Sequence, residues 1–179
     1  IGLRDQFFMI LLYDTGARIQ EIIDAKICEV KISSTSSIQL HGKGNKIRIV
    51  PLMENTVKHF KNYMKEFHSG ETWESQNYIF YANHHGVMEK ICDDTIRVRM
   101  NIYAEMARQE CSEVPERVHP HLWRHSRAMH LYQHGMDLTL ISQWLGHKQF
   151  TTTLVYAHAD TETKRKAIEK AIGGTSPIE

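Results

Sequence analysis

The sequence predicts an α+β fold, mainly helical, with a small antiparallel sheet near the N-terminal third. Three observations lead there. Apolar residues recur with helical spacing at the start of the chain and again from Glu54 onward. Between residues 26 and 50 the pattern changes to short β-rich segments, with alternation at Ile38/Leu40 and Ile47/Ile49. Gly42, Gly44 and Asn45 then supply the tight turn that joins two antiparallel strands.

Taken in order, residues 3–13 (LRDQFFMILLY) place apolar side chains around most of a helix and predict a buried one. Asp14-Thr15-Gly16 offers a stop and an N-cap for a second helix over 17–25. After the strands, Val57, Phe60, Tyr63, Met64 and Phe67 share one face of a helix running from Glu54 to Phe67. Tyr78–Tyr81 reads as a short strand before a polar turn at Asn83–Gly86, and Thr95–Glu110 as a helix. Beyond Pro120, helices are expected over 121–134, 137–145, 150–157 and 161–172, with Gly135 and Gly146 placed to end two of them. One domain covering 1–172 and a disordered tail over 173–179 follow from this pattern.

Composition narrows the function classes. No apolar run approaches the roughly 20 residues that span a bilayer, so no membrane partner is expected. The cysteines are three (Cys28, Cys92 and Cys111), widely spaced and without a CxxC pair. That disfavours a disulfide framework or a cysteine zinc site and fits a reducing cytoplasm. The net charge of +1 decides nothing about nucleic acid, because phosphates feel local field rather than the total. The chain opens on Ile1, not Met, which fits a portion of a longer protein.

Four segments carry potential chemistry. In Thr15-Gly16-Ala17-Arg18-Ile19-Gln20-Glu21, Arg18 lies at a helix start, where free N–H groups favour an anion, and Glu21 one turn on can hold it. Gly42-Lys43-Gly44-Asn45-Lys46-Ile47-Arg48 is a basic hairpin tip without an acid, able to deliver an ammonium group. His119-Pro120-His121-Leu122-Trp123-Arg124-His125-Ser126-Arg127 contains His121 and Arg124 on one helical face. His121 and His125 also have zinc-ligand spacing, but Leu122 stands where a metalloprotease helix needs Glu. Last come Leu145-Gly146-His147-Lys148 and, nine residues beyond His147, Tyr156. Singly, each segment has an ordinary structural reading, and Tyr156 is one of seven tyrosines.

As an ordered set, these segments resemble the tyrosine recombinase, or phage integrase, family. The shared pattern is TG-x-R-x-x-E, a GKGNK-type turn lysine, H-x-x-R-H, LGH and the following tyrosine, and it spans residues 10–158. Trp123 and Arg127 depart from residues common in the family, beside the catalytic positions rather than at them. The resemblance implies the catalytic-domain fold of that family, with the N-terminal core-binding DNA domain absent from this chain. It implies a site-specific DNA recombinase of integrase or transposase type, working through a 3′-phosphotyrosine intermediate with no metal, ATP or other cofactor.

In that reading Tyr156 is the nucleophile, while Arg18, Arg124 and His147 stabilise phosphate charge. His121 takes the tyrosine proton or bonds the phosphate. Lys43 is the general acid, with Lys46 a close rival. Glu21 and His125 support, and Lys46, Arg48, Arg127 and Lys148 contact DNA. The implied partners are double-stranded DNA at a specific recombination site and other protomers in a tetrameric synapse; the terminal helix 161–172 either docks into a neighbouring protomer or packs back on its own domain. Alternatives are type IB topoisomerase-like DNA relaxation, a catalytically silent DNA-binding relative and, more distantly, a zinc hydrolase on His119, His121 and His125.

Overall fold

The computed structural model describes residues 2–44, 46–147, 151–158 and 165. The chain divides into two compact units, Ile1–Arg127 and Ala128–Glu179, where the sequence suggests one domain.

In the first unit, helix α1 (Leu3–Thr15) is followed by the short α2 (Ile19–Ile23). A three-stranded antiparallel sheet comes next, formed by β1 (Val30–Lys31), β2 (Ser37–Gly42) and β3 (Lys46–Pro51) in that order. Helix α3 (Glu54–Phe67) leads to a second hairpin, β4 (Tyr81–His84) with β5 (Val87–Lys90), and then to α4 (Asp93–Glu110). The start of α5 (Pro120–Gln133) closes the unit.

The core is aromatic. Phe7 lies 5.1 Å from Tyr63 and 5.4 Å from Phe80, and Phe8 meets Phe80 edge-on at 4.8 Å, which joins α1, α3 and the residue that precedes the second hairpin. The face expected of α3 is the one buried, with Phe60, Tyr63 and Met64 inside.

Two local expectations change. The sequence predicts a polar turn over Asn83–Gly86, whereas only His85 and Gly86 turn, both at positive φ, and the residues on either side pair as a second hairpin. The four residues of β5, VMEK, are all exposed, so no burial period marks them. In β3 the alternation is real but its phase is reversed. Ile47 and Ile49 are 55% and 68% exposed, whereas Val50 is buried. Register explains this: Leu40 opposes Arg48 and Ile38 opposes Val50, and directly opposed residues share a sheet face. Burying Ile38 and Leu40 therefore turns Arg48 inward.

The second unit holds the rest of α5, α6 (Leu138–Leu145) and α7 (Thr151–His158). Ala128, Ile141 and Leu145 form its buried centre, with Tyr132 and Trp144 packed against them. Asp137 caps α6 by accepting from the Thr139 amide at 2.7 Å. The terminal helix expected over 161–172, the tail 173–179 and Lys148 lie outside the described residues, apart from Arg165, which is helical.

Candidate active site

The Gly16 turn organises the first unit's site. Gly16 ends α1 in the left-handed conformation, φ 58°, which a residue without Cβ adopts freely. The Thr15 hydroxyl donates to the Leu11 carbonyl at 2.6 Å and accepts from the Ala17 amide at 3.2 Å, so the turn is fixed from inside. Two residues later Arg18 is the N-cap of α2. The cap expected at Asp14 or Thr15 has therefore moved to Arg18, because Glu21 supplies the missing acceptor: its Oε2 takes the Arg18 amide proton at 2.8 Å.

Glu21 is the buried hub of this arrangement. Its Oε1 accepts from Nη1 of Arg18 and Nη1 of Arg48, both at 2.9 Å, and its Oε2 from Nη2 of Arg48 at 2.6 Å. The carboxylate is 4% exposed and Arg48 12%, whereas Arg18 is 39% exposed. Burial alone would raise the Glu21 pKa. The charged, hydrogen-bonded Arg48 outweighs that, helped by Arg18, and the net pKa lies below the usual carboxylate range. Among the described residues, Nε and Nη2 of Arg18 have no acceptor.

Helix α5 supplies the second wall. Pro120 opens it, where a missing N–H costs nothing, and the His119 ring nitrogen accepts from the Leu122 amide at 3.2 Å. Arg124, one turn in, is buried, and its Nη1 donates to the Gly16 carbonyl at 2.6 Å. His121 is exposed on the preceding turn, and its pKa is lowered, first by desolvation and then by the positive fields of Arg124, His119, Arg18 and Arg97. His125 is exposed.

Between these walls lies a cleft of about 270 Å³, bordered by Arg18, Gln20, Asp93, Arg97, Pro120 and His121. Arg97 is absent from the sequence-derived set. Its Nε and Nη2 bond the two oxygens of Asp93 at 2.8 and 3.1 Å, leaving Nη1 without a partner among the described residues. The only sequence signal is an acid and a base four apart at a helix start, a spacing common on solvated helices.

Arg48 and Arg127, expected to contact DNA, are engaged internally. Arg127 bonds the Asp14 carbonyl and Oδ1 at 3.1 and 3.0 Å, is 12% exposed, and lies over the Tyr13 ring. The other Asp14 oxygen caps α3, accepting from the Met53 amide and the Thr56 hydroxyl. Lys43 and Lys46 are exposed at the β2–β3 turn, and Lys43 has no polar partner among the described residues. Among those residues no three His, Cys, Asp or Glu side chains are grouped to hold a metal, so His119, His121 and His125 do not form the zinc site weighed above.

In the second unit, Gly146 (φ 66°) ends α6 in a Schellman cap, its amide bonding the Gln143 carbonyl and that of His147 the Ser142 carbonyl. The cap fixes the His147 backbone, and the ring Nδ1 lies 2.8 Å from the buried hydroxyl of Thr153. Thr153 was not singled out in the sequence, where it is one of three consecutive threonines. Tyr156 lies in α7, one turn beyond Thr153, with its side chain outside the described part. Other tyrosines have structural tasks: Tyr63 and Tyr81 donate to main-chain carbonyls, and Tyr103 donates to Asp5 at 2.7 Å.

The model of the phage integrase family matches residues 1–163. The chain belongs to the phage integrase family. It is 35% identical over 170 residues to the tyrosine recombinase XerD of Yersinia pestis, covering 93% of this chain and 53% of that protein. The crystal structure of XerA recombinase superposes with a TM-score of 0.76 at 27% identity, over 95% of this chain and 57% of that one. XerH site-specific recombinase, solved bound to palindromic difH substrate as a post-cleavage complex, gives 0.71 at 25%, over 93% and 45%. The chain spans about half the length of these family members. No helix among its described residues is long and apolar enough to cross a membrane.

Proposed function

We propose that the full-length protein is a cytoplasmic site-specific DNA recombinase whose Tyr156 attacks a DNA phosphate, this chain carrying the chemistry. The observation that supports this most is the Gly16 turn. It accepts a hydrogen bond from Arg124 at its carbonyl and presents Arg18 two residues later at the cleft, so one turn positions both guanidinium groups.

The reaction is a transesterification. The Tyr156 oxygen bonds phosphorus, the bond to the 5′-oxygen breaks, and a 3′-phosphotyrosine and a 5′-hydroxyl result. Reversal by another 5′-hydroxyl rejoins DNA, and the covalent intermediate keeps the bond energy without ATP. Arg18 and Arg124 stabilise charge on the non-bridging oxygens, a task that metal ions perform in many phosphoryl-transfer enzymes. Arg97 adds a third guanidinium through Nη1, which has no partner among the described residues. His121, kept neutral by its lowered pKa, takes the tyrosine proton. Lys43 protonates the departing 5′-oxygen. His147, whose Nδ1 lies 2.8 Å from the Thr153 hydroxyl, donates to phosphate. Lys46 and Lys148 contact the DNA backbone, and segment 161–172 docks on a neighbouring protomer in a tetrameric synapse.

The test uses the full-length protein with its cognate site on a nicked suicide duplex and in a synthetic four-way junction. A covalent adduct and junction resolution are expected. An adduct with relaxation of supercoils but no resolution indicates a topoisomerase instead, and no adduct indicates a binding-only protein.

A further inference from the structure

We infer that Arg48 is a positioning residue for the general acid: its bond to Glu21 seats the β2–β3 turn so that Lys43 reaches the departing 5′-oxygen. This rests on the proposed role of Lys43. Four observations carry it. Arg48 is turned inward by the register of β3, although its neighbours Ile47 and Ile49 are apolar and exposed. Its guanidinium meets both oxygens of Glu21, at 2.9 and 2.6 Å, in the two-point geometry that fixes direction as well as distance. The same carboxylate holds Arg18. Gly42, one residue before Lys43, packs so closely that a Cβ there would stand 3.3 Å from Glu21 Oε1.

The hairpin tip is thereby tied on both sides of its turn to the residue that orients Arg18. Gly42 abuts Glu21 from β2, and Arg48 binds it from β3. That tie adds to the strand bonds a fixed direction for a turn that carries a long lysine side chain, and Lys43 itself has no polar partner among the described residues. A lysine at position 48 keeps the charge but supplies a single flexible contact, so the tie is specific to arginine.

The chemistry offers a readout that general loss of structure does not move. A 5′-oxygen leaving group requires a proton from Lys43 as its bond to phosphorus breaks. A 5′-bridging sulfur leaves as a thiolate and requires none. Single-turnover cleavage by the full-length protein is therefore measured on both duplexes, with R48K, R48Q, K43A and R18K. The sulfur-to-oxygen rate ratio within one preparation is independent of how much of it is folded.

R48K and R48Q are expected to cleave the oxygen substrate about tenfold or more slowly than wild type, and the sulfur substrate within about threefold of it, as K43A should. R18K should be impaired on both. Equal deficits of the Arg48 variants on the two substrates, with K43A relieved by sulfur, overturn the inference alone. A deficit of K43A that persists with sulfur overturns the general-acid reading, and the inference with it.

Discussion

The Arg124 guanidinium donates to the Gly16 carbonyl at 2.6 Å, across 108 residues of sequence. Gly16→Ala forces a Cβ into a φ of 58° and should cost about 1 kcal/mol of stability. Its effect on covalent adduct formation should be larger, about tenfold or more, because Arg18 and Arg124 both depend on this turn. Thermal unfolding and single-turnover cleavage of the same protein separate the two effects.

Glu21→Gln leaves the inward-facing Arg48 without its charge partner and should cost about 3–5 kcal/mol near neutral pH. The Glu21 pKa is lowered in the folded protein, so its contribution is complete above the ordinary carboxylate range and is lost as pH falls through the folded value. The difference between wild type and variant should therefore shrink in acid. Urea unfolding across that range measures it.

His121 must be neutral to accept a proton, so cleavage falls as pH drops through its pKa. Partial desolvation lowers that pKa most, and Arg97 is one of the charges that lower it further. Arg97→Gln should raise it and move the acid limb of the pH–rate profile to higher pH. It should also weaken adduct formation by removing a phosphate donor. An unmoved limb would separate Arg97 from His121.

Exposed and engaged cations should differ in their salt dependence. Lys46→Met should reduce the slope of log binding constant against log salt by about 1, the signature of one lost phosphate contact. Arg127→Met should leave the slope unchanged and destabilise the fold, because Arg127 is bonded to Asp14 and lies over Tyr13. Filter binding at several salt concentrations distinguishes them.

Much of this was legible in the sequence because local patterns and tertiary structure agree. The face of α3 and the ends of α1 and α6 at Gly16 and Gly146 follow from helical period and chain-reversal chemistry. The pairing of Arg18 with Glu21 follows from their spacing. What was not legible depends on long-range partners. Arg48 looks like a surface cation until cross-strand register turns it inward, and Arg127 looks like a phosphate ligand until α1 brings Asp14 to it. Arg97 enters only because α4 borders the same cleft as α2 and α5. The two-unit division has no composition shift or linker to announce it, since the boundary falls within α5.

The nucleophile is the central claim. It is tested by incubating full-length wild type and Tyr156→Phe, side by side, with a nicked suicide duplex of the cognate site. Products are then resolved under denaturing conditions before and after protease treatment. A protease-sensitive protein–DNA adduct with wild type, and none with Tyr156→Phe, is the expected result. Equal trapping by both proteins would contradict it and assign the attack to another residue.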